Sequence, residues 1–551
     1  MKTKRILVLI IAVIMAAAFV GCSNNESSNN AASSGGGASS TEATGQVERV
    51  RVALTASSFN IDPFGTNSIP RMWITQIIYG SLYANPFYGA SLDEMEPWLA
   101  RRIEKVDELT YAVELHNYIH DSKGNHITSE DIVFSYANMQ TLGQQTRIGT
   151  YLDYIEIIDD YNMLFYLNKY GPGVVEFLMG DYTLSIASKS WYENATDAEI
   201  RNDPATTGAY RVASYTPGSS LVLEVVEDYW QTDENYRNSA DSQNVRRIEY
   251  TVITENSMRS IALENREIDA TVIDANELKR FYDGTRPLSG WNVDIRGGTF
   301  SYPIFLNMEQ GKSPFADNLN LRKAVLYALD SESILYAGDY DSSTGEVLYT
   351  FGTSIMRGFQ ESWTDEDYFT YDPEKARDYF KASGHTEGSV NVRLLSRTSI
   401  QNGIHAVIMA NLQAVGFNVE LLTYDQALFN TYKVDPTQWD ILLDNKGATG
   451  HIATCWDNNF NPAGFADGSS VNFTRDDHLI DLLMNVTTTG SYEDIQAFHR
   501  YLIEISILKG LYTPYNIMVG QDGILELAVN ANMMPRVNAF VFAENYQSVG
   551  R

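Results

Sequence analysis

Residues 391–423 restrict the chain to one class of fold. Asn391–Leu395 and Val419–Thr423 read as strands, and Asn402–Val415 between them carries a helical pattern that stops at Gly416. A strand, a crossover helix and a second strand form a βαβ unit, which places helices on the face of a parallel sheet. A second stretch reads differently. Asp203-Pro204 and Thr206-Thr207-Gly208 punctuate the chain as a turn, and the β-rich runs Ala209–Tyr215 and Leu221–Val226 follow, separated by Thr216-Pro217-Gly218-Ser219-Ser220. Leu221, Leu223 and Val225 share one face by the period of two, so this is a hairpin. At 551 residues the chain exceeds what one core organises, and two to four lobes are expected.

The remaining elements alternate in the same way. Val47–Ala53 reads as a first strand, Leu54–Pro70 as a loop and Met72–Tyr83 as a helix, with Phe59, Phe64, Trp73 and Tyr83 concentrated there. Strands are expected at Arg101–Lys105 and Thr110–Leu115. Thr128 with Asp131 forms a capping-box pattern that opens a helix. Its apolar face is Ile132, Val133, Tyr136 and Met139. Further on come a strand at Arg247–Val252, a helix at Met258–Ile268 and a strand at Ser301–Met308. The chain closes with a helix at Tyr492–Lys509 and a strand at Asn538–Phe542.

The first residues have another purpose. Met1–Arg5 is basic, Ile6–Val20 is apolar but short for a membrane span, and the run ends in Ala-Ala-Ala-Phe-Val-Gly-Cys-Ser. This is a secretory signal, residues 1–21. Small residues before Cys22 resemble a bacterial lipobox, although Phe19 stands where such motifs usually carry Leu. The resemblance implies a lipid on Cys22. Residues 23–46 are nearly all small or polar, a tether reaching about 25–30 Å. The body is therefore expected on the extracytoplasmic face of the cell membrane. With 40 basic and 70 acidic residues, net charge −30, it is unsuited to nucleic acid. Cys22 and Cys455 form no disulfide framework and no metal-binding pair.

Several motifs in sequence order carry one resemblance: DPATTGAYRVASYTPGSSLVLEVVEDYW from Asp203 to Trp230; Leu115 through Tyr136; Glu267-Ile268-Asp269-Ala270; Ser313-Pro314-Phe315-Ala316-Asp317 with Leu321-Arg322-Lys323-Ala324 and Ala328-Leu329-Asp330; and Tyr371-Asp372-Pro373-Glu374-Lys375-Ala376. Together they resemble the peptide/nickel class of extracellular solute-binding proteins, the receptors of ABC importers. The resemblance implies an α/β, two-lobed, periplasmic-binding-protein-like (Venus-flytrap) fold with discontinuous lobes. Lobe I would take residues 48–90, 200–297 and 512–551, an inserted subdomain 91–199, and lobe II 298–511. It further implies a monomer without cofactor, closing on an oligopeptide or other small solute and delivering it to membrane permease subunits.

Such receptors hold an extended peptide by main-chain hydrogen bonds, and a carboxylate of lobe II pairs with its ammonium group. In the corresponding stretch, Asp444–Pro462, Gly450 or His451 stands where that carboxylate is expected. Asp457 or Asp444 would have to substitute, or the ligand is not held by its amine. Phe59, Phe64, Tyr302 and Trp456 are the other candidate lining residues. Oligosaccharides, metal chelates and opine-like compounds are alternative ligands, and a pheromone receptor or a secreted hydrolase alternative roles. No catalytic constellation emerges. His116, His120 and His126 lack zinc-site spacing, and Asp339, Asp341 and Ser343 precede a glycine one place late for a calcium loop. Ser506-Ile507-Leu508-Lys509 satisfies S-x-x-K without its companion motifs.

Overall fold

The structure is a computed structural model that describes residues 45–550 except 57–58, 66–67, 88, 143–145, 448–449, 466–467 and 531–533. Cys22, the signal-like segment and most of the tether lie outside the described residues.

Two seven-stranded sheets organise the body. In the first, the strand order is Trp291–Arg296, Asn516–Gln521, Ala270–Ile273, Val47–Leu54, Val245–Val252, Ser220–Val225 and Tyr210–Thr216. Val47–Leu54 runs parallel to both its neighbours, and the hairpin 210–225 extends the sheet antiparallel. In the second, the order is Gly345–Val347, Leu508–Pro514, Phe300–Leu306, Ile441–Leu443, Val390–Arg397 and Phe417–Tyr424, with Lys446–Gly447 also pairing Phe300–Leu306. Its last three strands are parallel. Between the first strand and the hairpin, the chain builds a four-stranded antiparallel sheet from Ala100–Asp107, Thr110–Leu115, Asn162–Leu167 and Leu152–Ile157.

The second sheet is apolar on both faces, as a sheet between helices must be. Ile304, Leu306, Leu394, Ile441 and Leu443 enter one core, while Phe305, Leu395 and Leu442 enter another on the opposite side. Successive side chains thus alternate between two buried layers. Helix Asn402–Gln413 lies between the parallel strands, and Gly416 follows at φ 121°, a conformation that favours glycine. Thr128 and Asp131 form the expected capping box ahead of Ser129–Thr141.

Two helices end earlier than periodicity suggests, and one strand starts later. The first long helix covers Ile69–Ile78, and Tyr83–Ala84 is a short strand instead. The apolar run continues through Leu82, but Gly80 packs so tightly that an added Cβ would lie 2.0 Å from Leu99. The late helix is Tyr492–Ile505; Ser506 closes it in the left-handed region at φ 54°. Lys509 then belongs to a strand, where its ammonium donates to the carbonyls of Leu329 and Phe369 at 2.8 and 2.7 Å. That arrangement separates the two residues of the S-x-x-K motif. Near the C-terminus, a 3-10 turn at Val537–Ala539 and the two-residue strand Val541–Phe542 replace the expected longer strand.

The chain passes between the sheets twice, at Gly297–Thr299 and at Tyr515. The second passage lies beyond the boundary expected after residue 511, because Tyr512–Pro514 still pair with Gly345–Val347. The passages are fastened to each other: Thr513 Oγ1 donates to Phe300 O at 2.7 Å, and Asn516 Nδ2 donates to Gly297 O at 3.2 Å. In the first sheet, the carboxylate of Asp269 is fully buried. It accepts hydrogen bonds from Arg51 N, Ser548 Oγ and Val549 N at 2.6, 2.6 and 2.9 Å, and from the Tyr546 hydroxyl at 2.5 Å. The C-terminal tail is thereby pinned to the first strand.

Candidate functional site

Three parallel strands end at one edge of the second sheet, and each delivers polar side chains there. Arg397 terminates Val390–Arg397. After Phe417–Tyr424, Asp425 caps helix Gln426–Lys433 by accepting from Ala427 N and Leu428 N, and Lys433 stands in the helix's last turn. The third of these strands, Ile441–Leu443, runs directly into Asp444, Asn445 and Lys446. The carboxyl edge of parallel strands is where α/β sheets present ligand-binding residues, because the connecting loops leave space there.

Asp444 is 5% exposed in its side chain and has three cations around it. Arg397 Nη2 lies 3.2 Å away, Lys446 Nζ 3.6 Å and Lys433 Nζ 4.0 Å. Arg397 also donates to Gln426 Oε1 at 3.0 Å and to Asn445 Oδ1 at 2.5 Å. Burial pushes the Lys446 ammonium below its ordinary value, while Asp444 pulls it back and Lys433 adds to the depression. Asp444 is thus fully engaged, which leaves it no role as a free anion for a ligand amine.

These residues form one wall of a cavity of about 680 Å³, a volume typical of small-solute sites. Arg147, Thr150 and Tyr151, from the inserted part, form the facing wall. Asp457 also lines it, and its carboxylate meets Lys169 Nζ at 2.9 Å. A second cavity of about 350 Å³ lies alongside, lined among others by Gly89, Gly173, Glu176, Arg357, Gly450 and His451. Arg147 borders both, with its guanidinium 4.0 Å over the Phe177 ring.

The walls touch at several points. Thr454 Oγ1 donates to Pro172 O at 2.6 Å, and Arg357 pairs with Glu94 at 3.3 Å. An added Cβ on Gly89, which holds φ 77°, would come 2.7 Å from Gly450 O. His451 caps helix Ile452–Phe460, its Nδ1 accepting from Ala453 N at 3.1 Å. Burial, with Arg357 adding to it, lowers this imidazole to about 4.

Of the residues singled out in the sequence, Gly450, His451 and Asp457 line these spaces. Tyr302 is half-buried, stacked on Tyr512 at 4.7 Å, with Asn445 bonding its hydroxyl. Phe59 packs on Tyr215 at the hairpin, 5.5 Å between centroids. Phe64 and Trp456 are interior. Phe64 is wedged against Phe134 and Tyr192, and Trp456 is stacked 4.6 Å from Phe498 with Nε1 donating to Phe351 O. Packing consumes both rings, so neither lines a cavity. Cys455 is buried in the same core as Trp456, its thiol pushed up to about 12 by desolvation. Among the described residues no cluster of three or more metal-ligating side chains occurs. Nor is any of their helices long and apolar enough to cross a membrane. Arg147, Lys169, Arg397, Lys433 and Lys446 escape a motif search; Arg397 and Lys446 stand at or just past strand ends, whereas Arg147 and Lys433 lie on helices.

Residues 94–456 match the model of bacterial extracellular solute-binding proteins, family 5 middle. Oligopeptide-binding protein OppA of Bacillus subtilis is 22% identical over 389 residues, covering 64% of this chain and 64% of that protein. The dipeptide-binding protein of Escherichia coli is 22% identical over 412 residues, 68% of this chain and 72% of that one. The alignment thus spans less than two thirds of the Bacillus relative. The crystal structure of the ABC transporter substrate binding protein CtaP of Listeria monocytogenes superposes with a TM-score of 0.74. It is 18% identical and covers 91% of this chain and 100% of its own.

Proposed function

The chain belongs to the bacterial extracellular solute-binding proteins, family 5, and from that premise we propose that it is the peptide-capturing receptor of an ABC importer. The observation that carries this reading is the cavity of about 680 Å³ between the inserted part and the carboxyl edge of the second sheet. A solute there touches both walls at once, so binding energy goes directly into holding them together. Tyr302, Gly450, His451 and Asp457 are proposed to face the bound solute, with Phe59 at the margin. Two relatives bear names of peptide-binding proteins, which supports peptides over sugars. A lipid on Cys22 would keep the monomeric receptor on the extracytoplasmic face, beside its permease, and the family's extracellular description supports that side of the membrane.

Native mass spectrometry of the protein isolated from its own host tests the ligand class. A ladder of masses spaced by amino-acid residues is expected. A single sugar mass, or release of cleaved peptide, would replace this reading with an oligosaccharide receptor or a hydrolase.

A further inference from the structure

The cavity at the carboxyl edge of the second sheet has more positive charge than its own carboxylates neutralise. Arg397, Lys433 and Lys446 all address Asp444, at 3.2, 4.0 and 3.6 Å. Asp457, the other described carboxylate in the lining, is held by Lys169 at 2.9 Å. Arg147 faces the cluster from the opposite wall, with Asp181 at the longer distance of 3.9 Å.

The three cations are 10%, 17% and 11% exposed in their side chains, so water screens them weakly. Withdrawing a cation from water is costly unless an anion compensates it. Here one carboxylate serves three. The Nε of Arg397 is buried and finds no hydrogen-bond partner among the described residues, although Arg397 is 8% exposed and lines the cavity. A chain of net charge −30 has ample acid to balance this cluster, yet among the described lining residues Asp444 and Asp457 are the only carboxylates.

We infer that this cavity receives an oxyanion of the solute, and that the peptides captured are acidic. The inference rests on the peptide reading. It inverts the expected polarity of the site: the segment expected to hold a ligand's ammonium group instead contributes the Lys446 ammonium, beside the Arg397 guanidinium, to a carboxylate. Arg397 and Lys446 form the floor, Lys433 one side and Arg147 the facing wall.

Calorimetric titration of the full-length protein with Ala-Ala-Ala-Ala, Ala-Glu-Glu-Ala and Ala-Lys-Lys-Ala tests it. The glutamate peptide is expected to bind at least about tenfold more tightly than the alanine peptide, and the lysine peptide more weakly than either. Lys433→Gln should shrink the glutamate advantage severalfold, lowering the glutamate peptide's affinity more than the alanine peptide's. Should that variant melt early, Arg147→Gln on the facing wall provides the same comparison. Equal affinities for the three peptides would overturn the acidic preference and leave peptide capture standing. If no peptide binds but inorganic phosphate raises the melting temperature above chloride at equal ionic strength, the oxyanion site stands and the peptide reading falls. Neither response would overturn both.

Discussion

Asp269 illustrates how much one buried carboxylate organises. Four donors converge on it, two from backbone amides and two from hydroxyls of the C-terminal tail. Replacing it with Asn presents an amide N–H₂ to donors and leaves at least one of them unsatisfied. Asp269→Asn is expected to cost about 2–4 kcal/mol, read as a lower midpoint in urea; an unchanged midpoint would contradict this account of the tail.

The histidines make a complementary prediction at the same scale. Burial lowers His499 to about 3, and lowers His116 and His451 to about 4, against an ordinary value of 6.5. Glu366 lies 3.6 Å from His499 Nε2, too distant to offset desolvation. All three stay neutral in the folded protein below pH 6.5, whereas the unfolded chain takes up protons there. The stability they contribute is therefore complete above pH 6.5 and drains as pH falls towards 4. Each unit of pH corresponds to about 1.4 kcal/mol per group. Asp241, raised to about 6 by burial, gains stability over part of the same window and opposes one of them. Melting temperature should fall between pH 6.5 and 4.5, and His499→Gln should flatten the slope. An unchanged slope in that variant would show that His499 is not among the groups responsible.

At the scale of elements, the βαβ unit was legible to within a residue or two because apolar period, helix length and Gly416 agree. The helices at 69–78 and 492–505 were read too long because their stops are unusual. The backbone turns extended at Tyr79, at φ −124° and ψ 140°, within a run that stays apolar, and Ser506 adopts a left-handed conformation without being glycine. Phe64 and Trp456 were indistinguishable from lining residues, since an aromatic in a loop or at a helix start looks alike whether its face meets ligand or protein. The cationic cluster was hidden for a topological reason. Arg397, Lys433 and Lys446 are spread over 50 residues of sequence, and the parallel pairing of Val390–Arg397 with its two neighbours brings the segments that carry them together. One crossing element offers its own test. A Cβ on Gly298 would lie 1.9 Å from Thr513 Oγ1 and 2.2 Å from Pro514 O, so Gly298→Ala must displace backbone. We expect it to reduce the change in radius of gyration on ligand addition, measured by small-angle scattering.

For the whole molecule, the contacts joining the two cavity walls set how long a solute stays. Lys169–Asp457, Thr454–Pro172 and Arg357–Glu94 each join residues far apart in sequence across the same interface. The last is half-exposed and worth little; the first has an Asp457 side chain only 14% exposed and carries more. Lys169→Met should raise the peptide dissociation rate about 3- to 10-fold with little change in association. Asp457→Asn should reproduce that effect, alike for free and N-acetylated peptides. A loss confined to free peptides would show instead that Asp457 contacts the amine.

The two passages between the sheets have a kinematic consequence. A single connecting strand is a universal joint, free to bend and twist about any direction. Two strands side by side, laced by Thr513 to Phe300 and Asn516 to Gly297, define a line instead of a point. Rotation about that line costs only small changes of backbone angle, whereas torsion about the long axis would stretch the lacing. The molecule is thereby reduced to nearly one mechanical coordinate, and a solute touching any part of the gap reports on the angle of the whole.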